Sequence, residues 1–282
     1  MQTIKCGPFE ATFDAAFGGR VTSLRHRAYG DILVPLVEEC SDDLDWPKSG
    51  AFPLFPYHGR LRGAELGSSG QVFRLRGNPH RQGDAMHGPS QRRSWTIEQR
   101  SYSSLLLSID YQADDEWPFS FKASQFFSIS DQRLDVSLSL SNTSDRPAPG
   151  GIGWHPYFTV GAGVEVRCDA KQVWTVPAAG AELAPFAEAR DDPSLGSNPQ
   201  SRHLSNWSRA TFTTPAGRVS LLRRSALEFL VLHRTGSYLC LEPVSHLSGA
   251  PSLSADLRSE AGFRDLAPGQ MKSGKLSILV GR

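Results

Sequence analysis

The sequence predicts an all-β protein, a large antiparallel β-sandwich, and three observations carry that expectation. Glycine (26) and proline (19) together make up about 16% of the 282 residues, against roughly 12% in average usage. They are spread along the whole chain, so long helices would be interrupted almost everywhere. Between these breaks lie short runs that are apolar at every second position, as a strand with one buried face requires. No helical period separates one run from the next, which favours antiparallel sheets packed face to face over alternating βαβ units.

Taken in order, the runs are Ser104–Tyr111, Phe119–Ile129, Leu134–Leu140, Ala210–Thr213, Glu228–Leu232, Tyr238–Glu242 and Lys275–Val280. The clearest is Leu134-Asp-Val-Ser-Leu-Ser-Leu140, with leucine or valine at each alternate position. The last follows the turn-forming Pro268-Gly269. Val176–Trp207 is rich in Ala, Pro, Ser and Asn and reads as a long loop. No repeat, heptad or linker divides the chain, so residues 1–282 are expected to form one domain.

Hydrophobic residues at 39% and charged residues at 21% suit a globular chain with a core. Lys and Arg number 30 against 29 acidic residues, so no net positive field draws the chain to nucleic acid or anionic lipid. A small-molecule ligand fits this balance, with no nucleic-acid or membrane partner. The start of the chain has no basic segment followed by an apolar run, and the expected location is cytoplasmic. Cys6, Cys40, Cys168 and Cys240 have no C-x-x-C spacing and read as buried free thiols. The eight histidines show no H-x-H or H-x-x-x-H spacing, and no metal site is expected. Phosphate-binding and dinucleotide-binding glycine motifs are also missing from the sequence, so no cofactor is expected. Monomer and homodimer both remain open.

Four segments could carry chemistry. Phe52-Pro-Leu-Phe-Pro-Tyr-His-Gly-Arg-Leu-Arg-Gly63 presents aromatic rings with Arg60, whose planar fork could hold hydroxyl groups; a surface arginine beside a turn is the alternative. Asn78-Pro-His-Arg-Gln-Gly-Asp-Ala-Met-His-Gly88 offers Asn78 and His87 to a polyol, or is simply a solvated loop. Gly150-Gly-Ile-Gly-Trp-His-Pro-Tyr-Phe158 places His155 between two aromatics, poised to exchange a proton near neutral pH or bonded structurally. In Tyr238-Leu-Cys-Leu-Glu-Pro243, period-two alternation puts Tyr238, Cys240 and Glu242 on one face. Glu242 then either reaches solvent where proline stops the strand or faces a cleft as a base.

In this order, the four segments resemble the aldose 1-epimerase (galactose mutarotase) family, from about Gly18 to Gly269. The resemblance rests on Pro56-Tyr-His-Gly-Arg-Leu61, Met86-His-Gly88, His155-Pro-Tyr-Phe158, Glu242-Pro243 and Leu266-Ala-Pro-Gly269. It implies a β supersandwich and an isomerase that interconverts the anomers of an aldose without a cofactor. His155 would be the general acid and Glu242 the general base, with Arg60 and His87 binding the sugar; Asn78, from the polar loop itself, is expected to join them. The chain departs from the family pattern at Gly59, where Asn usually precedes the arginine, and at Pro89, where a second glycine is usual. The family's substrate-binding aspartate has no counterpart in Leu204-Ser-Asn-Trp207, which offers Ser205 or Asn206. A non-catalytic sugar-binding or sensor domain and an epimerase for a phosphorylated or modified hexose are the alternatives that this departure raises.

Overall fold

The computed structural model describes residues 1–37, 45–68, 70–161, 164–174, 200–214, 217–253 and 255–281. Among these, two large antiparallel sheets dominate. The first runs in the spatial order Gln2–Cys6, Phe9–Asp14, Arg20–His26, Ala51–Leu54, Gly153–Thr159, Tyr238–Val244, Phe229–Arg234, Gln200–Ser205 and Gln172–Trp174, with the short Gly30–Asp31 paired to Arg20–His26. The second runs Thr96–Arg100, Ser104–Tyr111, Phe121–Ile129, Arg133–Asn142, Met271–Gly281, Gly217–Ser225, Arg209–Thr214 and Val166–Cys168. The sandwich expected from the alternating runs is what forms. Among the described residues the α-helical content is a single short element, Ala255–Glu260, and no helix is long and apolar enough to cross a membrane.

Arg133–Asn142 shows how the pattern makes the fold. Leu134, Val136, Leu138 and Leu140 are at most 1% exposed, while Asp135, Ser137 and Ser139 on the other face are half-buried. Its neighbours Phe121–Ile129 and Met271–Gly281 pair along almost its whole length. The inner faces of the sheets meet through apolar contacts such as Phe13 against Phe127, ring centroids 4.7 Å apart, and Phe158 against Phe212 at 5.0 Å. Such contacts between the two apolar faces supply the main driving force for stacking the sheets.

Two expectations need correction. The segment read as a loop through Trp207 contains a strand, Gln200–Ser205, paired to Phe229–Arg234; residues 176–199 lie outside the described residues. This strand escapes the apolar-alternation rule because Ser201, His203 and Ser205 occupy one face and only Leu204 is a buried apolar residue on the other. The strand carrying Glu242 also does not stop at Pro243 but continues to Val244, with Pro243 opposite Leu230. A proline is tolerated there because the ladder to Gly153–Thr159, on the other side, is already open at that point. Cys6, Cys168 and Cys240 are free thiols as expected, but only Cys168 and Cys240 are buried, Cys6 being partly exposed on the edge strand Gln2–Cys6; Cys40 lies outside the described residues.

Leu138→Ala should lower the unfolding free energy by about 2–5 kcal/mol through lost burial and a residual cavity. Ser137→Ala, on the half-buried face, should change it by no more than about 0.5 kcal/mol. Urea denaturation of the two variants checks the assignment of faces.

Candidate active site

The first sheet bends a polar face around a cleft of about 370 Å³, within the size range of small-molecule sites. Its floor comes from neighbouring strands: His155 and Tyr157, then Tyr238 and Glu242, then Val231 and His233, then Ser201 and His203. Glycines and prolines fix how the strands meet. Gly50, at φ +61, turns the chain into Ala51–Leu54, and a Cβ there would stand 2.0 Å from the Val21 carbonyl oxygen. His155 lies opposite Phe52 in the resulting pair.

On its other side, Gly153–Thr159 pairs with Tyr238–Val244 through Gly153 opposite Val244 and Tyr157 opposite Cys240. Continuing that antiparallel register puts His155 directly opposite Glu242. The intervening ladder positions hold Pro156 and Pro243, neither of which has an N–H to donate. The result is a cross-strand pair, His155 Nε2 3.3 Å from Glu242 Oε1, with both residues about 95% buried. The imidazole packs against both Phe52 and Tyr157, with centroid separations of 4.6 and 4.7 Å and small interplanar angles, and those two rings stand 6.3 Å from each other, so the three form a triangle. These contacts hold its plane.

Burial sets the protonation of the pair. Desolvation pushes the Glu242 carboxyl up from 4.5 to about 8, because the charged form loses its hydration. The same cause, assisted by His87 and Arg20, holds the His155 imidazole well below its usual value. At neutral pH the empty pair therefore holds one proton between two groups in contact. Cys240 also comes close: His155, Cys240 and Glu242 each place a ligand-type atom within 4.8 Å of the others. Burial raises the Cys240 thiol well above its ordinary value. It is the thiolate, not the thiol, that binds metals, so a metal held by these three residues would have to displace the thiol proton.

The short pairing of Arg60–Leu61 with Ala85–Met86 brings the Arg60 and His87 segments together at the cleft. His87 is held at φ +61, a left-handed conformation uncommon outside glycine. Two bonds secure it: its backbone N–H donates to the Gly59 carbonyl at 3.0 Å, and its Nδ1 accepts from the Gly59 N–H at 3.1 Å. Desolvation keeps the ring neutral, so the accepting Nδ1 leaves the proton on Nε2. Arg60 forms an ion pair with Asp84 at 3.0 Å, which also accepts from the Gly63 N–H at 2.7 Å. Gly59 adopts φ +74 where a Cβ would meet the Ser248 hydroxyl at 2.3 Å, which gives the glycine at this position a steric reason.

Of the five residues expected to form the site, His155, Glu242, Arg60 and His87 line the cleft and Asn78 does not. Asn78 Oδ1 accepts from the His80 N–H at 2.8 Å, capping the turn Pro79–Arg81, and the residue borders a separate small crevice with Tyr57, Arg76 and Glu116. That turn instead presents Arg81 to the cleft. Sequence reasoning missed Trp46, Lys48, His58, Ser201, His203 and His233, which also line it. His203 was hidden inside the segment read as loop. His58 left a trace, since it lies in the aromatic loop with Arg60; its Nε2 is 2.6 Å from the His246 carbonyl, and burial lowers its value to about 3.

With this geometry in hand, the chain compares directly with known proteins. It matches the profile of the aldose 1-epimerase family over residues 8–233 and belongs to that family. A galactose mutarotase-like protein from Clostridium acetobutylicum superposes with a TM-score of 0.83 at 20% identity, covering 99% of this chain and 94% of that one. A galactose mutarotase-like protein from Lactobacillus casei gives 0.80 at 17% identity, covering 100% of each chain; at these identities the likeness shows the shared fold. YphB of Escherichia coli K12, a protein of uncharacterised activity, is 27% identical over 126 residues, 45% of this chain and 42% of YphB. YihR of the same organism is 28% identical over 107 residues, 38% of this chain and 35% of YihR. These two matches span about two fifths of the curated relatives.

Linkage gives a stability test of the site. Glu242 has a folded value near 8 against 4.5 when free, so between these pH values the native state holds a proton that the unfolded chain has released. Its contribution to stability is complete below about pH 4.5 and is lost as pH rises through about 8. Glu242→Gln, which cannot ionise, should therefore gain thermal stability relative to wild type as pH rises across that window. Melting temperatures of both proteins at pH 5 and pH 9 measure the change.

Proposed function

We propose that the protein is an aldose 1-epimerase that interconverts the α and β anomers of a sugar by proton transfer between Glu242, His155 and the substrate. The buried contact between the Glu242 carboxyl and the His155 imidazole carries this reading. A pair holding one proton matches the demand of the reaction, which must take a proton from one sugar oxygen and give one to another.

In the reactive form, Glu242 is carboxylate and His155 imidazolium, a tautomer of the resting pair with the same proton count. Glu242 takes the proton of the anomeric hydroxyl, and the O1–H electrons form the C1=O double bond. The C1–O5 bond breaks, and its electrons take the proton from His155. The pair is now carboxylic acid and neutral imidazole, the form that burial favours. Rotation about C1–C2 turns the other carbonyl face to O5. Closure returns the O5 proton to His155 and gives the Glu242 proton to O1. Electrons and protons balance without a redox or nucleotide cofactor. His87, neutral with Nε2–H available, is a donor for a sugar oxygen, and Arg60 at the rim adds further donors.

Each positioned acid or base contributes about 10²–10⁴ in rate. Glu242→Gln and His155→Asn should each lose about that much anomer exchange, followed by NMR and corrected for spontaneous mutarotation. Sugar binding should persist in both. Wild-type exchange rates in both variants would refute the assignment.

The pair also fixes the pH dependence. Above about pH 8, Glu242 sheds the proton and His155 has none to give. Only at pH well below 6.5 does His155 gain a second proton while Glu242 keeps its own, and then no base remains. For the free enzyme, kcat/KM should be flat through neutrality, with an alkaline limb near pH 8 and an acid limb well below the usual histidine range. A single limb near pH 4.5, the value of a free glutamate, would contradict the buried pair.

A further inference from the structure

Among the described residues, the charges lining the cleft are unbalanced. Lys48, Arg60 and Arg81 face it, against the carboxyl of Glu242, and burial keeps that carboxyl protonated at neutral pH. Arg60 is neutralised by Asp84. Lys48 and Arg81 are arranged differently. Both pack on the ring of Trp46, with the Lys48 ammonium 4.2 Å and the Arg81 guanidinium 5.2 Å from its centroid. Both approach the same oxygen of Asp45, at 3.0 and 3.4 Å. Two cations therefore share one aromatic ring and one carboxylate oxygen.

Trp46 fixes this cluster to the catalytic floor. Its indole N–H donates to the Tyr157 hydroxyl at 2.8 Å, and its ring meets His87 edge-on at 5.2 Å. The Lys48 ammonium is near enough to act on His87, His155 and His233, helping to keep all three neutral. One carboxylate between two cations leaves one positive charge unbalanced, a place that an anionic group would complete. Lys48 spends its described bonds on Asp45 and the Trp46 carbonyl at 2.9 Å. Arg81 spends its own on Asp45 and, at 3.3 Å, the His80 carbonyl. These are fewer bonds than an ammonium with three donors and a guanidinium with five can make. Their side chains remain 38% and 27% exposed at the rim.

We propose that Lys48 and Arg81, seated on Trp46, form an anion subsite, so that the substrate is an aldose bearing a carboxylate, phosphate or other oxyanion on a carbon away from C1. The proposal rests on the epimerase reading in one respect: C1 and its hydroxyl must remain free for Glu242 and His155. The charged substituent contributes binding away from the reacting bonds, which lowers KM more than it raises kcat. Recognition by charge also accounts for a cleft that keeps its histidines neutral: hydroxyl groups meet neutral donors and acceptors, and the full positive charge stands apart from them at the rim.

The test compares one aldohexose with its 6-phosphate and its 6-carboxylate, the uronate, measuring anomer exchange by NMR and binding by ligand-observed NMR. Wild type should prefer at least one anionic form by about tenfold to a hundredfold in kcat/KM, the range of charge-assisted hydrogen bonds. In Lys48→Gln/Arg81→Gln the ratio of anionic to neutral substrate should fall toward one, and Lys48→Arg/Arg81→Lys should retain most of it. Circular dichroism melts confirm that each variant folds. The two anionic arms decide between phosphate and carboxylate. A wild-type ratio near one, or a ratio unchanged by the glutamine variants, overturns the subsite and leaves the epimerase reading intact. Anionic sugars that bind through Lys48 and Arg81 without exchanging would uphold the subsite and overturn the epimerase reading.

Discussion

The 3.3 Å contact between His155 and Glu242 joins adjacent strands where two prolines interrupt their ladder. The site depends on this contact being dry. In water a glutamate and a histidine would titrate apart, one as an anion and one near neutrality. Buried, with the imidazole packed against Phe52 and Tyr157, both are driven toward their uncharged forms. One proton is then held within the pair, which is what the proposed exchange at a sugar requires. The prolines, the aromatic rings of Phe52 and Tyr157 and the glycine turn at Gly50 serve that arrangement by fixing the position of two side chains.

Around the pair, backbone bonds assign histidine tautomers without using charge. His87 accepts from Gly59, His58 lies against the His246 carbonyl, and His246 Nε2 accepts from the His58 N–H at 3.3 Å while its Nδ1 lies 2.9 Å from the Leu247 carbonyl. His246, with both nitrogens committed, is structural, whereas His58 and His87, which line the cleft with one nitrogen committed, offer a ligand a defined donor or acceptor on the other. The lysine and arginine side chains that line the cleft, Lys48, Arg60 and Arg81, stand at its rim, where solvent reduces the cost of holding their charge.

The sandwich was legible because sheet stacking leaves a period-two mark, plainest at Leu134–Leu140, where one face is apolar at every step. His155 and Glu242 stood out for another reason: His155-Pro-Tyr-Phe158 and Glu242-Pro243 stand in the family's order. Gln200–Ser205 was not legible, because a strand with a polar cleft-facing row carries no apolar alternation to detect. Asn78 was assigned by composition, and composition does not reveal that its carboxamide oxygen is committed to the His80 N–H. Lys48 and Arg81 lie far apart in sequence and are brought together on one indole ring only by the fold.

The paired prolines also act as a ruler. A one-residue slip of Tyr238–Val244 against Gly153–Thr159 would turn every side chain of the strand to the opposite face, sending Glu242 toward the core and Leu241 into the cleft. It would also bring N–H-deficient positions against ladder positions that have donors and acceptors to satisfy. Misregistered chains therefore lose core packing and backbone hydrogen bonds at once and are not retained as stable, inactive forms. In a preparation of this protein, the fraction of molecules that is folded and the fraction that is competent should be the same number.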